Sequence, residues 1–263
     1  MGIYETLRSL KSGTNDETNG RHIIPGLASS MVNGNDRPRI LDVGAGHGVD
    51  LANIAFDLSK SGKSPEISAI ETFPVAIEKL KDLGVSVYSI DIEREPLPFG
   101  DAHFDIVICN QVLEHTKEIF WIVSELTRVT KKGGKLIIGV PNLGSLHNRL
   151  ALLAGYQPPA IGVLGTHIRG FTVPGLTEFL EIGGLLKVSA VIGGNFYPFS
   201  PMISRKLSRL LPTLSVSSFY LIERTQKEGS LLSIFDSGMA ASLVDTPYFR
   251  GQLSKSAGET GLG

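Results

Sequence analysis

The chain has 263 residues, 42% hydrophobic and 19% charged, enough to build one large α/β domain or two small ones. Its 25 basic and 26 acidic residues leave a formal net charge of −1, which argues against a polyanionic partner such as nucleic acid. The single cysteine, Cys109, excludes an intrachain disulfide, and no run of 18 apolar residues marks a transmembrane span. With no charged-then-apolar leader, the expected compartment is the cytoplasm.

Residues 1 to 36 read as an N-terminal arm, a short helix followed by a Gly/Asn/Ser-rich loop. Met1–Thr6 formally fits an N-myristoylation pattern of low specificity. The first strong element is a buried strand, Ile40 to Val43, running into Gly44-Ala45-Gly46-His47-Gly48 and then a helix to about Ser59. Three glycines let the backbone turn tightly and approach a ligand closely. The helix N-terminus behind them presents unpaired N–H groups to that ligand.

A second strand, Ile67 to Ile70, ends at Glu71, and Pro74 opens the next helix, which Gly84 closes. A third strand, Val85 to Ile90, ends at Asp91-Ile92 before a Pro-containing loop. A fourth, Phe104 to Cys109, ends at Asn110; a helix over 118–130 stops at Lys131-Lys-Gly-Gly134. A fifth strand, Lys135 to Val140, is broken by Pro141. Such alternation predicts a parallel sheet with helices on both faces. Beyond it the pattern weakens: helices over 145–155 and 174–183, strands over 186–196 and 215–223, and a Gly/Ser-rich tail. The basic trio Arg205, Lys206 and Arg209 reads as a solvated helix face.

The acid-x-Gly-x-Gly-x-Gly order from Asp42, with acids closing the second and third strands, resembles the class I S-adenosylmethionine-dependent methyltransferases. The dinucleotide fingerprint G-x-G-x-x-G is a poorer match, because Val49 stands in its third slot and no Tyr-x-x-x-Lys pair follows the fifth strand. The resemblance covers about residues 36 to 225. It implies a Rossmann-like seven-stranded sheet, mostly parallel with the last strand antiparallel. The implied domain is residues 37–225, with 226–263 as a C-terminal extension. It also implies S-adenosyl-L-methionine as cofactor, held by Asp42, Gly44, Ala45, Gly46, Glu71, Asp91, Ile92 and Asn110. In that picture Asp42 stands near the methionine ammonium, Glu71 accepts from the ribose hydroxyls, and Asp91 with Ile92 serves the adenine. Val112-Leu-Glu-His115, Val140-Pro-Asn142 and Thr166-His-Ile-Arg-Gly-Phe-Thr172 are similar to the branch that includes ubiquinone-biosynthesis-like and surface-glycan or natural-product enzymes.

The reaction implied is in-line methyl transfer to a small-molecule or glycan-like acceptor, at oxygen. An oxygen acceptor has to lose its proton, and His is the natural base near neutral pH. His115, His147 and His167 are the candidates, His115 preferred because it follows the fourth strand. Arg169 either binds an acidic group of the acceptor or ties down its loop. No metal ligand set is assigned. The Glu-x-x-Glu-His arrangement of metal-assisted RNA ribose 2′-O-methyltransferases is weakened here by Gln111 in the first acidic position. A second alternative is a non-catalytic methyltransferase-like subunit, docking a partner through Phe235, Tyr248 and Phe249. A homo-oligomer stays open.

Overall fold

The computed structural model describes Gly20, residues 22–32, residues 34–236 and residues 248–249. The expected first helix of the arm, the Met1–Thr6 pattern and most of the C-terminal extension lie outside the described residues.

In chain order the elements are α1 (Ile24–Met31), β1 (Arg39–Val43), α2 (Val49–Lys60), β2 (Glu66–Ile70), α3 (Pro74–Asp82), β3 (Ser86–Tyr88) and β4 (Phe104–Asn110). They continue as α4 (Ile119–Val129), β5 (Thr130–Pro141), α5 (Leu146–Leu153), α6 (Val173–Glu181), β6 (Leu186–Gly194), α7 (Pro201–Leu210) and β7 (Ser217–Arg224). The strands form one seven-stranded sheet in the order β3-β2-β1-β4-β5-β7-β6. Strands β1 to β5 pair in parallel, while β7 is antiparallel to both β5 and β6. Strand β6 therefore runs with the first five, and the mixed sheet expected from the sequence is the one observed.

Side chains alternate between two cores, as the two-residue strand period requires. Leu41, Val43, Val107, Leu136, Ile138, Tyr220 and Ile222 face α4 and α6. Ile40, Ile106, Ile108, Ile137 and Phe219 face α1 and α2. Helix α1 belongs to this second core through Ile24, Ala28 and Val32, all buried. Gly20 sits so close to the Phe219 ring that a Cβ there would overlap it.

The predicted stop at Lys131–Gly134 appears as a bulge inside β5: Phe104 pairs with Thr130 and Ile106 with Lys135, and Gly133 turns the chain at φ +77°. Strand β3 is shorter than expected, so Asp91 lies on the loop beyond it. Helix α4 is buried on nearly all sides because a third apolar cluster covers its outer face. In that cluster Phe120 meets Phe179, Phe235 and Tyr248, each at a ring separation of 5.0 Å, and Trp121 meets Phe249 at 5.0 Å. Phe235, Tyr248 and Phe249 are thus spent on the chain's own core and are not free docking anchors, which corrects that expectation. Among the described residues no helix is long and apolar enough to cross a membrane.

Candidate active site

In an open parallel sheet, ligands bind beyond the carboxyl ends of the strands. That edge carries the glycine turn. Gly44, Gly46 and Gly48 all have positive φ (+75°, +53° and +75°), conformations that side chains rarely adopt. The Gly44 and Ala45 N–H groups donate to the Ile70 carbonyl at 2.9 and 3.3 Å, which ties the turn to β2. A Cβ on Gly44 would lie 2.4 Å from Val112 Cγ2, whereas over Gly46 the space is open. The turn is packed from below and free above.

Glu71 grips this turn. Its Oε2 accepts from the Gly46 N–H at 2.7 Å, and its Oε1 accepts from Thr72 and Phe73 N–H at 2.8 and 2.9 Å. The carboxylate thus joins the glycine turn to the N-terminus of α3, and Oε2 keeps a lone pair for a ligand hydroxyl. Asp42 is buried at 3% exposure in β1, and Asp50 at 4% in the first turn of α2. Asn110 Nδ2 donates to Asp50 Oδ2 at 3.1 Å, which fixes the end of β4 against α2. Asp91 Oδ1 accepts from the Glu93 N–H at 2.9 Å, and Glu95 Oε1 accepts from the Asp91 N–H at 2.8 Å. Ile92, half-buried, packs on the first core.

The residue after Asn110 is a further candidate binding group that carries no local signal in the sequence. Gln111 has φ +58°, and its Nε2 is buried with no hydrogen-bond partner among the described residues. A strained backbone and an unsatisfied donor together are what a ligand site stores. Glu114 is the other residue whose weight the sequence hid. It is 1% exposed, and burial pushes its carboxyl up to about 7. His115 and His167 do come together, with ring centroids 4.7 Å apart. Arg169 donates through Nε to the Thr116 carbonyl at 3.2 Å and through Nη2 to the Lys117 carbonyl and the Tyr248 hydroxyl at 2.8 and 3.1 Å. This is the loop-tying arrangement. Cys109 is fully buried, and burial raises its thiol far above the usual range, so it is no nucleophile. His147 stands apart, with Nδ1 3.3 Å from Ser145 Oγ.

A cavity of about 240 Å³ opens at the same edge, between α1, the end of β6 and α7. His22, Asn195, Arg205, Ser208 and Arg209 line it. Two members of the basic trio read as a solvated face therefore border a cavity.

The profile of the "Methyltransferase domain" family matches residues 41–138, the span from β1 through the core of β5. Over that span the chain is similar to a class I S-adenosylmethionine-dependent methyltransferase domain. The ubiquinone/menaquinone biosynthesis C-methyltransferase UbiE of Shewanella piezotolerans is 30% identical over 103 residues, 38% of this chain and 41% of that protein. Its counterpart in Burkholderia orbicola is 26% identical over 140 residues, 52% of this chain and 58% of that one. The chain thus spans less than two thirds of these relatives' length. Among solved structures, a SAM-dependent methyltransferase of Thermotoga maritima, described as a possible histamine N-methyltransferase, superposes with TM-score 0.53 at 18% identity, covering 85% of this chain and 94% of that one.

The cofactor that goes with this domain is S-adenosylmethionine, and the edge fits it. Open space over Gly46, a helix N-terminus behind it, the remaining lone pair of Glu71 and the unsatisfied Gln111 amide supply a cradle and polar partners.

Proposed function

We propose that this chain transfers a methyl group from S-adenosylmethionine, by in-line displacement, to a small-molecule or glycan-like acceptor bearing an anionic group, at oxygen. The observation that carries the reading is the glycine turn, open above Gly46 and held from the side by the Glu71 carboxylate. When bound, the cofactor supplies a methyl already activated on a sulfonium. The protein's part is to place the acceptor in line and to exclude water.

The anionic group is argued from the cavity beside Arg205 and Arg209. It lies at the end of β6, three strands from β4 in the sheet, a reach of about 14 Å at the usual strand spacing. An acceptor of that length would touch both basic side chains while its reacting atom stood near His115. His115 Nδ1 lies 3.2 Å from the Thr166 carbonyl, which only accepts, so Nδ1 carries the proton. The neutral ring then has a bare Nε2, the form a general base needs. A second reading, methylation at carbon, is favoured by the UbiE relatives, which are C-methyltransferases.

Calorimetric titration of S-adenosylhomocysteine, beside an NAD control, tests the cofactor. Labelled methyl transfer to panels of hydroxylated and quinol-type acceptors, each with and without a phosphate or carboxylate, tests the acceptor. Binding of NAD in place of S-adenosylhomocysteine would refute the reading.

A further inference from the structure

Glu114, His115 and His167 offer one ligand atom each, and these atoms lie within 4.8 Å of one another. We propose that the three side chains form a binding site for one divalent transition-metal ion, of the zinc, cobalt or nickel type.

The first argument is the carboxylate. Glu114 is 1% exposed, and neither of its oxygens has a hydrogen-bond partner among the described residues. A buried carboxyl left without a partner is a large penalty, and native structures keep such groups where a ligand or ion satisfies them. The nearest cationic candidate, His115 Nε2, is 3.9 Å from Glu114 Oε1, too far for a hydrogen bond. Protonating Glu114 does not remove the problem, since the acid would then need an acceptor within reach.

The second argument is the orientation of the imidazoles. His115 Nδ1 stands 3.2 Å from the Thr166 carbonyl oxygen and His167 Nδ1 2.9 Å from the Ala160 carbonyl oxygen. Each carbonyl needs a donor, so each Nδ1 bears the proton and each Nε2 presents a lone pair. Metal-ligating histidines are held in this way, with the far nitrogen donating to a backbone carbonyl.

The third argument is that the two segments are locked together at this point. The Ile168 and Arg169 N–H groups donate to the Glu114 carbonyl at 2.8 and 3.2 Å, and the Arg169 guanidinium holds the Thr116 and Lys117 carbonyls. Residues 114–117 and 166–169 therefore meet as a preformed pair, not as two loose loops. Two ligands at about 2.1 Å from one ion stand no more than about 4.2 Å apart. The cluster thus needs to close by at most roughly 0.6 Å, which rotation of the exposed His115 ring supplies.

The donor set selects the ion. Two imidazoles and one carboxylate suit zinc and its neighbours, whereas magnesium and calcium prefer oxygen ligands throughout. Three protein ligands leave an open position, the pattern of sites that also bind a substrate oxygen. If the methyl-transfer reading above holds, that position would take the acceptor hydroxyl and ease loss of its proton to solvent, and His115 Nε2, its lone pair given to the ion, would then hold the ion in place of acting as the general base. Metal binding itself does not rest on that reading.

The test is competition titration of the full chain with zinc alone against a chromophoric chelator, after stripping, with cobalt absorption as a second readout. The expected result is one zinc per chain, bound at micromolar affinity or tighter. Glu114→Gln, His115→Ala and His167→Ala should each weaken it at least tenfold, and His103→Ala should not. Circular dichroism and S-adenosylhomocysteine titration on each variant control for folding. Failure to take up zinc, or uptake unchanged in all three variants, overturns the site. Zinc uptake by a chain that does not bind S-adenosylhomocysteine upholds the site and removes the methyl-transfer reading instead.

Discussion

Gly44 is a glycine for two separate reasons, and Gly44→Ala measures both. The first is backbone: at φ +75° an alanine sits in the left-handed region, which costs about 1–2 kcal/mol. The second is packing: the new Cβ would lie 2.4 Å from Val112 Cγ2, inside any real contact distance, and overpacking of this kind costs about 1–3 kcal/mol. The sum, roughly 2–5 kcal/mol, is a large part of a typical domain's 5–15 kcal/mol. Urea unfolding followed by circular dichroism reads it. Val112→Ala separates the two terms, because it removes the clashing methyls and leaves φ unchanged. In the Val112→Ala background, Gly44→Ala should cost only the backbone part, so the coupling energy between the positions should be about 1–3 kcal/mol. S-adenosylhomocysteine binding should fall in Gly44→Ala and recover in part in the double variant. A loss under about 0.5 kcal/mol for Gly44→Ala, or costs that simply add, would show that the turn does not lean on Val112 and that this packing argument is wrong.

Glu71→Gln should destabilise by about 1.5–3 kcal/mol, because the new amide puts an N–H against either the Gly46 N–H or the α3 N-terminus; calorimetry of unfolding checks it. Arg128→Ala should cost about 3–5 kcal/mol, since Arg128 meets both oxygens of the buried Glu125 at 2.7 Å and its loss leaves that carboxylate without its cation, held by the Leu97 N–H at 2.8 Å; a shift of the denaturation midpoint reads it. Glu114 makes stability depend on pH in chelator-treated protein. Burial raises its carboxyl from 4.5 to about 7, so its favourable contribution is full below about 4.5 and is lost as pH rises through 7. Relative to Glu114→Gln, the wild type should therefore lose on the order of 3 kcal/mol between pH 4 and pH 8, and parallel stability curves for the two proteins would refute it.

Much of the sheet was legible because its signals are local. Ile40–Val43 runs apolar into three glycines, Glu71 and Asn110 close their strands, and Pro74 opens α3, each announced within a few residues. Helix α1 was hidden because Pro25 and Gly26 make its first turn read as loop, although Ile24, Ala28 and Val32 keep a four-residue spacing. In helix α7 the basic residues Arg205, Lys206 and Arg209 announce a helix, but the side that packs was hidden for a different reason. Its buried positions are Ser204 and Ser208, small and polar, so hydrophobic periodicity carries no trace of the face that packs. In the site, Glu71 was found but only half understood, since its grip on Gly46 spans 25 residues and is a property of the turn's shape. Glu114 was visible as the acid beside His115, yet its isolation follows from burial, and its meeting with His167 follows from the loop hydrogen bonds at its own carbonyl.

The segment 110–117 joins the glycine turn to the His–Glu cluster, and the reason is geometric. Asn110 holds Asp50 of α2, so the end of β4 is fixed to the helix behind the glycine turn. Gln111 then turns the chain at φ +58°, which directs Val112 under Gly44. One short 3-10 turn later, Glu114 enters the interior, its carbonyl fastens residues 168 and 169, and His115 reaches Thr166. A change at any of these positions therefore moves the floor of the cofactor turn and the His–Glu cluster together. Coupling of this kind needs a contiguous packed element with few alternative arrangements, and an eight-residue segment pinned at both ends by hydrogen bonds provides one. The consequence is asymmetric. Loosening the distal loop at Arg169 leaves the Gly44–Val112 contact intact and disturbs the His–Glu cluster alone, whereas removing the left-handed turn at Gln111 disturbs both.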